Sequence, residues 1–142
     1  MKRLVILLSL LAMAACAPLV PPPPPPPIPP AAAMPRVFTV YFAWNRSWVG
    51  PEGIAILQQA ANAFKAGGVV TVQVTGYTDT SGPASYNMRL SVRRAQHVAQ
   101  ILAKMGVPWT AMAIQGRGET DLAVPTPDGV REPRNRRVTV IE

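Results

Sequence analysis

Cysteine, histidine and acidic residues are scarce in this sequence. Its 142 residues contain one cysteine, Cys16, one histidine, His97, and only seven Asp plus Glu. A single cysteine cannot form an intramolecular disulfide, and one thiol with one imidazole cannot supply the four ligands of a typical zinc site. A Cys-His nucleophilic pair has equally little support. We therefore predict no metal, no cofactor and no catalytic residues.

Basic residues, in contrast, are in excess. Lys plus Arg number 14 against the seven acids, which gives a formal net charge of +7. A basic balance favours acidic partners in general. Nucleic acid is one such partner, but the export signal described next would keep the chain away from it, so we expect no nucleic-acid binding.

The N-terminus has the pattern of an export signal. Lys2 and Arg3 precede a largely apolar stretch, Leu4–Ala15, which is too short to span a bilayer and typical of a signal-peptide core. The stretch ends at Cys16 and resembles a bacterial lipobox, although Met13 is unusual for one. That resemblance implies cleavage after residue 15 and acylation of Cys16, whose acyl chains each add about 0.8 kcal/mol per buried CH₂. The alternative is an ordinary signal peptide with an incidental cysteine.

Residues 16–35 are predicted to be a lipidated cysteine followed by a proline-rich linker. Eleven prolines lie between Pro18 and Pro35, including the unbroken run Pro21–Pro27. Proline fixes φ and lacks an N–H, so helix and sheet are excluded. A polyproline II segment rises ~3.1 Å per residue, which suits a spacer that holds a domain away from a membrane. A docking site for a proline-binding module is the alternative.

Residues 36–142 alternate between strand and helix patterns and are predicted to form one domain. Alternating apolar residues indicate strands, whereas apolar residues spaced by three and four, with Gly and Pro at the ends, indicate helices. The order predicts an α+β, two-layer β-α-β-α-β-β sandwich, a mixed sheet with both helices on one face. The predicted elements are strands Val37–Trp44, Val69–Gly76, Ala111–Gly116 and Arg136–Ile141, and helices from Pro51 to Gly67 and from Ser85 to Met105.

One arginine lies on the wrong side of the second helix. At about 100° per residue, Arg94 falls between Leu90 and Val98 on the apolar side that faces the sheet. An unpaired buried charge costs several kcal/mol, so an anionic group is expected near it. Asp79, in the loop before this helix, is the candidate. Either the two form a simple ion pair, or both bind a ligand that carries an ammonium and a carboxylate.

Several short motifs then resemble the OmpA-like peptidoglycan-binding domains, and with the leader the chain is similar to peptidoglycan-associated outer-membrane lipoproteins. The resemblance covers residues 37–141, essentially the whole domain. The motifs that carry it are Gly76-Tyr77-Thr78-Asp79, Gly82, Tyr86-Asn87, Leu90-Ser91, Arg94-Ala95, Gly116-Arg117-Gly118-Glu119 and Asn135-Arg136-Arg137-Val138.

The resemblance implies a binding site for the diaminopimelate residue of the peptidoglycan stem peptide. Asp79 matches the position that receives the ligand ammonium, and Arg94 the position that receives its carboxylate. The resemblance further implies supporting or lining roles for four more residues, which are Asn87, Arg136, Thr78 and Leu90. Two departures from the family pattern stand out: Tyr77 replaces a common histidine, and Ala43 and Asn45 replace frequent acids after the first strand.

Three functions compete at this point. The leading hypothesis is a non-enzymatic tether between the outer membrane, through the lipid on Cys16, and the cell wall, with the domain in the periplasm. The second is an adaptor subunit of an envelope complex for secretion, motility or membrane–wall attachment. The third is a wall-cleaving enzyme, which would need paired carboxylates, a nucleophile with a base, or a metal; Asp79 has no second acid nearby in the sequence.

Overall fold

A computed structural model describes residues 34–142, which form one compact unit. The predicted signal peptide, Cys16 and nearly all of the proline-rich linker lie outside the described residues. The elements are β1 (Val37–Tyr41), α1 (Pro51–Lys65), β2 (Val72–Gly76), α2 (Ala84–Lys104), β3 (Met112–Gly116) and β4 (Arg137–Ile141), with 3₁₀ turns at Trp109–Ala111 and Pro133–Asn135.

The four strands form one mixed sheet in the order β1-β4-β2-β3. β4 lies antiparallel to both β1 and β2, whereas β2 and β3 are parallel. The last strand of the chain therefore lies inside the sheet, and β1 and β3 form its edges. The predicted α+β, mixed-sheet architecture is confirmed.

Both helices cover the same face of the sheet, as the apolar stripes predicted. Alternate strand residues such as Val40, Val74 and Val138 are fully buried beneath them, and Leu57 of α1 and Val98 of α2 join the same core. In residues 34–142 no helix combines the length and the hydropathy needed to cross a membrane.

Two glycines let α2 lie directly on the sheet where the parallel strands end. Gly76 and Gly116 are register partners at the last positions of β2 and β3. A Cβ on Gly76 would overlap the Ser91 carbonyl oxygen, and one on Gly116 would overlap the Ser91 hydroxyl. Because no larger side chain fits, α2 approaches closely here and brings Arg94, one turn further along, to the end of the sheet.

Two strands are shorter than predicted. β1 ends at Tyr41 rather than Trp44, because the chain turns away from the sheet and reaches a left-handed φ of 54° at Asn45. β2 begins at Val72 rather than Val69, because Gly67 and Gly68 both have positive φ and carry the chain outward before it joins the sheet. The other boundaries agree to within a residue or two.

Candidate functional site

Arg94 is the largest fully buried side chain among the described residues, with 0% of its surface exposed. Its three nitrogens donate to backbone carbonyls: Nε to Arg46 (2.8 Å), one terminal nitrogen to Tyr77 (2.8 Å) and the other to Ala43 (3.3 Å). The guanidinium also lies 5.0 Å from the centre of the Phe42 ring. Helical spacing predicted this inward orientation correctly, and carbonyl oxygens rather than a carboxylate satisfy the charge.

The Arg94 guanidinium has more N–H groups than these three hydrogen bonds use. Arginine has five N–H groups, and the three carbonyl bonds use one from each nitrogen, which leaves one N–H on each terminal nitrogen. Burial lowers the Arg94 pKa from its ordinary 12.5 to about 10, although the charge of Asp79 opposes part of this shift. Arg94 is therefore a cation at neutral pH with two N–H groups that can bind another acceptor.

Asp79 follows β2 and is 3% exposed. One carboxylate oxygen accepts from the Ser81 hydroxyl (2.5 Å) and the Ser81 backbone N–H (3.3 Å). The other accepts from Arg136 (3.1 Å) and from the backbone N–H of Glu132 (3.3 Å). Four hydrogen bonds thus fix the position of the carboxylate.

The ion pair that Asp79 forms is with Arg136, not with Arg94. The idea of a direct Asp79–Arg94 pair that ties the loop to α2 is therefore wrong: Arg94 bonds to the carbonyls of residues 43, 46 and 77, while Arg136 takes the place beside the carboxylate. Arg136 is also held by the carbonyl of Phe42, which accepts from its Nε at 3.0 Å. Two arginines and one aspartate consequently give this region a net positive charge.

The cavity bordered by these groups, the Asp79 cavity, has a volume of about 300 Å³. Of the six residues predicted for the site, five line it, and Thr78 does not. Its lining residues are Trp44, Asn45, Asp79, Ser81, Gly82, Pro83, Tyr86, Asn87, Leu90, Arg94 and Arg136.

Thr78 and Asn87 shape the loop that carries Asp79. The Thr78 backbone N–H donates to the Gly118 carbonyl at 2.8 Å, while its buried hydroxyl has no hydrogen-bond partner within residues 34–142. The Asn87 amide donates to the Asp79 carbonyl (3.2 Å) and to the Glu119 carboxylate (2.5 Å). Asn87 thus connects α2 to the Asp79 loop.

Sequence reasoning assigned no role in the site to Ser81 or Tyr86. Ser81 accepts from the Trp44 indole N–H at 3.1 Å and donates to Asp79, so it links the cavity rim to the carboxylate. The Tyr86 hydroxyl bonds to the side chain of Asn45. A serine two residues after an aspartate is a common turn pattern, and that signal could have identified Ser81; nothing local indicates the Tyr86–Asn45 contact.

The long segment between β3 and β4, residues 117–136, contributes to the site. Sequence analysis did not predict this contribution for the segment as a whole. The Thr80 hydroxyl lies 2.7 Å from the carbonyl of Pro127, and Asn135 is fully buried and bonds to both backbone groups of Val124 at 2.8 Å. These contacts hold the segment against the Asp79 loop and bring the Glu132 amide to the carboxylate. No cluster of three or more potential metal ligands occurs in residues 34–142.

At the histidine position of the family pattern, Tyr77 is buried beneath a cation. The guanidinium of Arg137 lies 3.8 Å from the centre of its ring, and the hydrogen bond between Tyr77 and Arg94 is made by the Tyr77 backbone carbonyl. Because a backbone carbonyl does not depend on the side chain, the replacement leaves the support of Arg94 intact.

Comparison with solved structures agrees with this fold. The peptidoglycan-associated lipoprotein of Burkholderia pseudomallei superimposes with a TM-score of 0.67 and 28% identity, over 72% of this chain and 87% of that one. The OmpA-like domain of FopA1 from Francisella tularensis gives a TM-score of 0.69 at 24% identity, over 76% of this chain and 71% of that one. The second likeness concerns the fold alone.

Comparison of sequences places the chain in a family. An outer membrane protein of Gluconacetobacter diazotrophicus is 44% identical over 112 residues, which are 75% of this chain and 30% of that protein. Outer membrane protein A of Bordetella avium is 32% identical over 100 residues, 70% of this chain and 52% of that protein. The chain thus spans about half or less of the length of these relatives. Residues 41–136 match the OmpA family, and the chain therefore belongs to that family.

Proposed function

We propose that this domain binds peptidoglycan without covalent chemistry, by holding the diaminopimelate residue of the stem peptide in the Asp79 cavity. One observation carries the proposal: an aspartate and an arginine border the same cavity, and the arginine keeps two N–H groups that bond to no atom of residues 34–142. The free end of diaminopimelate carries an ammonium and a carboxylate on one carbon. This pair of ligand charges matches the pair of protein charges.

The charges also specify how the ligand would lie. The ammonium would donate to the Asp79 carboxylate and take the place of the Arg136 contact, while the carboxylate would accept from the two remaining N–H groups of Arg94. Arg136 stays near through its bond to the Phe42 carbonyl and keeps the region net positive. Asp79 and Arg94 have almost no exposed surface without ligand. At Asp79 binding would replace the bond to Arg136 by a bond to the ligand, whereas Arg94 would keep its three carbonyl bonds and add bonds to the ligand.

Sedimentation with insoluble cell-wall sacculi tests this proposal. Full-length protein in detergent should pellet with the sacculi, and Asp79→Asn should lower its affinity at least tenfold, because a buried charge contact is lost without a change in size. Asp128→Asn is the matched control, since Asp128 is exposed and lies outside the cavity. Pelleting of Asp79→Asn at wild-type affinity would contradict the assignment.

Arg94 needs a milder change because its side chain supports three carbonyls. Arg94→Lys keeps the charge but cannot form two parallel bonds to a carboxylate. We expect it to bind sacculi at least tenfold more weakly than wild type, whereas Arg89→Lys, on the exposed side of the same helix, should bind normally. Equal binding by both variants would exclude Arg94 as a ligand contact.

Binding would leave the wall intact. Among residues 34–142, Asp79 is the only acid that lines the cavity, so this part of the chain supplies it with no paired carboxylates of the kind that cleave glycosidic bonds. Sacculi incubated with the protein should therefore release no soluble muropeptides. Release that persists in Asp79→Asn would show a separate hydrolytic activity.

The second part of the proposal is the tether itself. Acylated Cys16 would fix the chain to the outer membrane while the domain holds the wall from the periplasm. The family relatives named as outer membrane proteins support this placement. Labelled palmitate should enter the wild-type protein but not Cys16→Ser, and the variant should move from the membrane to the soluble periplasmic fraction. Labelling of Cys16→Ser would contradict the anchor.

A further inference from the structure

A second cavity lies next to the Asp79 cavity and has no part in the proposal so far. It measures about 500 Å³ and is lined by Tyr41, Ala43, Arg46, Trp48 and Gly50; we call it the Trp48 groove. The four-residue segment 43–46 borders both spaces, since Trp44 and Asn45 line the Asp79 cavity while Ala43 and Arg46 line the groove.

The groove is built from aromatic side chains that the fold leaves in solvent. Trp48 is 66% exposed and Tyr41 57% exposed, and Arg46 is exposed beside them. Tyr41 and Gly50 also line a further cavity of about 220 Å³ that includes Glu52 and Ile56. The shared residues make the two spaces one extended surface, which suits a chain-like ligand better than a small compact one.

We propose that the Trp48 groove binds the glycan strand of the peptidoglycan whose stem peptide enters the Asp79 cavity. This inference rests on the proposed function. Pyranose rings present apolar C–H faces, which pack on exposed aromatic rings, and their hydroxyl and N-acetyl groups need polar partners at the edge of such a site. Arg46 supplies donors in the groove, and Glu52 supplies an acceptor in its extension.

The covalent structure of peptidoglycan fits the spacing of the two sites. Diaminopimelate is the third residue of a peptide that is attached to a sugar, and an extended residue spans about 3.3–3.6 Å. The two preceding residues and the side chain by which diaminopimelate is bound therefore hold the sugar within roughly 20 Å of the cavity. A sugar at that distance can reach only surfaces near the cavity, and the Trp48 groove is such a surface because segment 43–46 borders both spaces.

Arg94 lines the Asp79 cavity and also hydrogen-bonds to the backbone of the Trp48 groove. Its guanidinium donates to the carbonyls of Ala43 and Arg46, and both of these residues line the groove. A carboxylate bound to Arg94 would thus lie against the back of the segment that shapes the sugar surface. Occupation of the cavity and the form of the groove are linked through a single side chain.

Calorimetric titration with three soluble probes tests the inference on full-length protein in detergent. The probes are the free stem tripeptide that ends in diaminopimelate, the same tripeptide attached to its disaccharide, and an N-acetylglucosamine tetramer without peptide. Wild type should bind the disaccharide-tripeptide about tenfold more tightly than the tripeptide, and Trp48→Ala should remove this difference while it leaves tripeptide affinity unchanged. Trp109→Ala is the matched control, because Trp109 is a comparably exposed tryptophan (52%) outside the groove.

Each outcome separates the two proposals. If wild type binds the tripeptide but gains nothing from the disaccharide, the glycan groove is wrong and the diaminopimelate site stands. If neither peptide probe binds, the proposed function itself fails. If Trp48→Ala still binds the disaccharide-tripeptide about tenfold more tightly than the tripeptide, the groove does not bind sugar. The same holds if Trp48→Ala weakens binding of the tripeptide as much as binding of the disaccharide-tripeptide. Weak tetramer binding that disappears in Trp48→Ala but persists in Trp109→Ala would support the inference independently.

Discussion

The Asp79 cavity and the Trp48 groove border the same segment, residues 43–46, but are built in opposite ways. In the cavity the two charged groups are almost wholly buried and already hydrogen-bonded by the protein. In the groove the aromatic rings are mostly exposed. A fixed, buried pair of charges selects a ligand by its exact chemistry, because any mismatch leaves a charge unpaired. An exposed aromatic surface adds area and tolerates variation, so selectivity belongs to the cavity and additional affinity to the groove.

The difference predicts first that substitutions in the cavity cost stability and those in the groove do not. Arg94→Ala removes the donors of three carbonyls and leaves a void, so we expect a loss of about 4 kcal/mol in unfolding free energy. Trp48→Ala and Arg89→Ala should change it by no more than about 0.5 kcal/mol. Urea unfolding of the three variants measures this, and a similar loss for Trp48→Ala would remove the distinction.

A second substitution tests how the cavity is positioned rather than what lines it. Gly76→Ala places a Cβ on the Ser91 carbonyl oxygen, so α2 must move away from the sheet, at a cost of about 3 kcal/mol. Gly129→Ala is the control: Gly129 has a φ of 79° but open space around its Cβ position, and strain alone should cost about 1 kcal/mol. Equal losses in the two variants would show that close helix–sheet contact is unimportant.

Trp44 lines the Asp79 cavity from the segment that also borders the Trp48 groove, so a substitution there tests how the cavity rim affects binding. Trp44→Phe keeps an aromatic ring but loses the indole N–H that donates to Ser81, and Ser81 in turn holds Asp79. A hydrogen bond of this kind contributes about 1 kcal/mol, so tripeptide affinity should fall about fivefold. Trp109→Phe should bind as wild type. An unchanged affinity in Trp44→Phe would mean that Asp79 needs no support from the rim.

The smallest effect on stability is expected for the exposed Arg134–Glu132 ion pair at the outer edge of the site. The side chain of Arg134 donates to Glu132, and this bond, with the Arg134 backbone N–H, lowers the Glu132 pKa from 4.5 to about 2. The carboxylate therefore stabilises the fold above pH 4.5, and the stabilisation is lost as the pH falls toward 2. The stability difference between wild type and Arg134→Gln should be constant above pH 5 and shrink toward zero near pH 2. A difference that persists at pH 2 would contradict this origin.

Local patterns predicted the parts of the site that a single element determines. Arg94 faces the sheet because residues four apart share a helix face, and that spacing is visible in the sequence. Asp79 lies near Arg94 because it is in the short loop that joins the end of β2 to the start of α2, the helix that carries Arg94. The mixed sheet followed from the order of strand and helix patterns.

What the sequence could not predict depends on contacts between distant segments. Arg136, rather than Arg94, pairs with Asp79, and the Glu132 amide reaches the same carboxylate across more than 50 residues. Both depend on the path of the segment between β3 and β4, which has no periodic pattern to read. The Trp48 groove was hidden for a similar reason, since an exposed and a buried tryptophan look alike in a sequence.

A crystal of the protein soaked with meso-diaminopimelate tests the central claim most directly. The account predicts that the ligand occupies the Asp79 cavity, with its ammonium within hydrogen-bond distance of the Asp79 carboxylate and its carboxylate within that distance of the Arg94 guanidinium. A ligand bound elsewhere, or an Asp79–Arg136 pair that stays intact beside an empty cavity at saturating ligand, would contradict it.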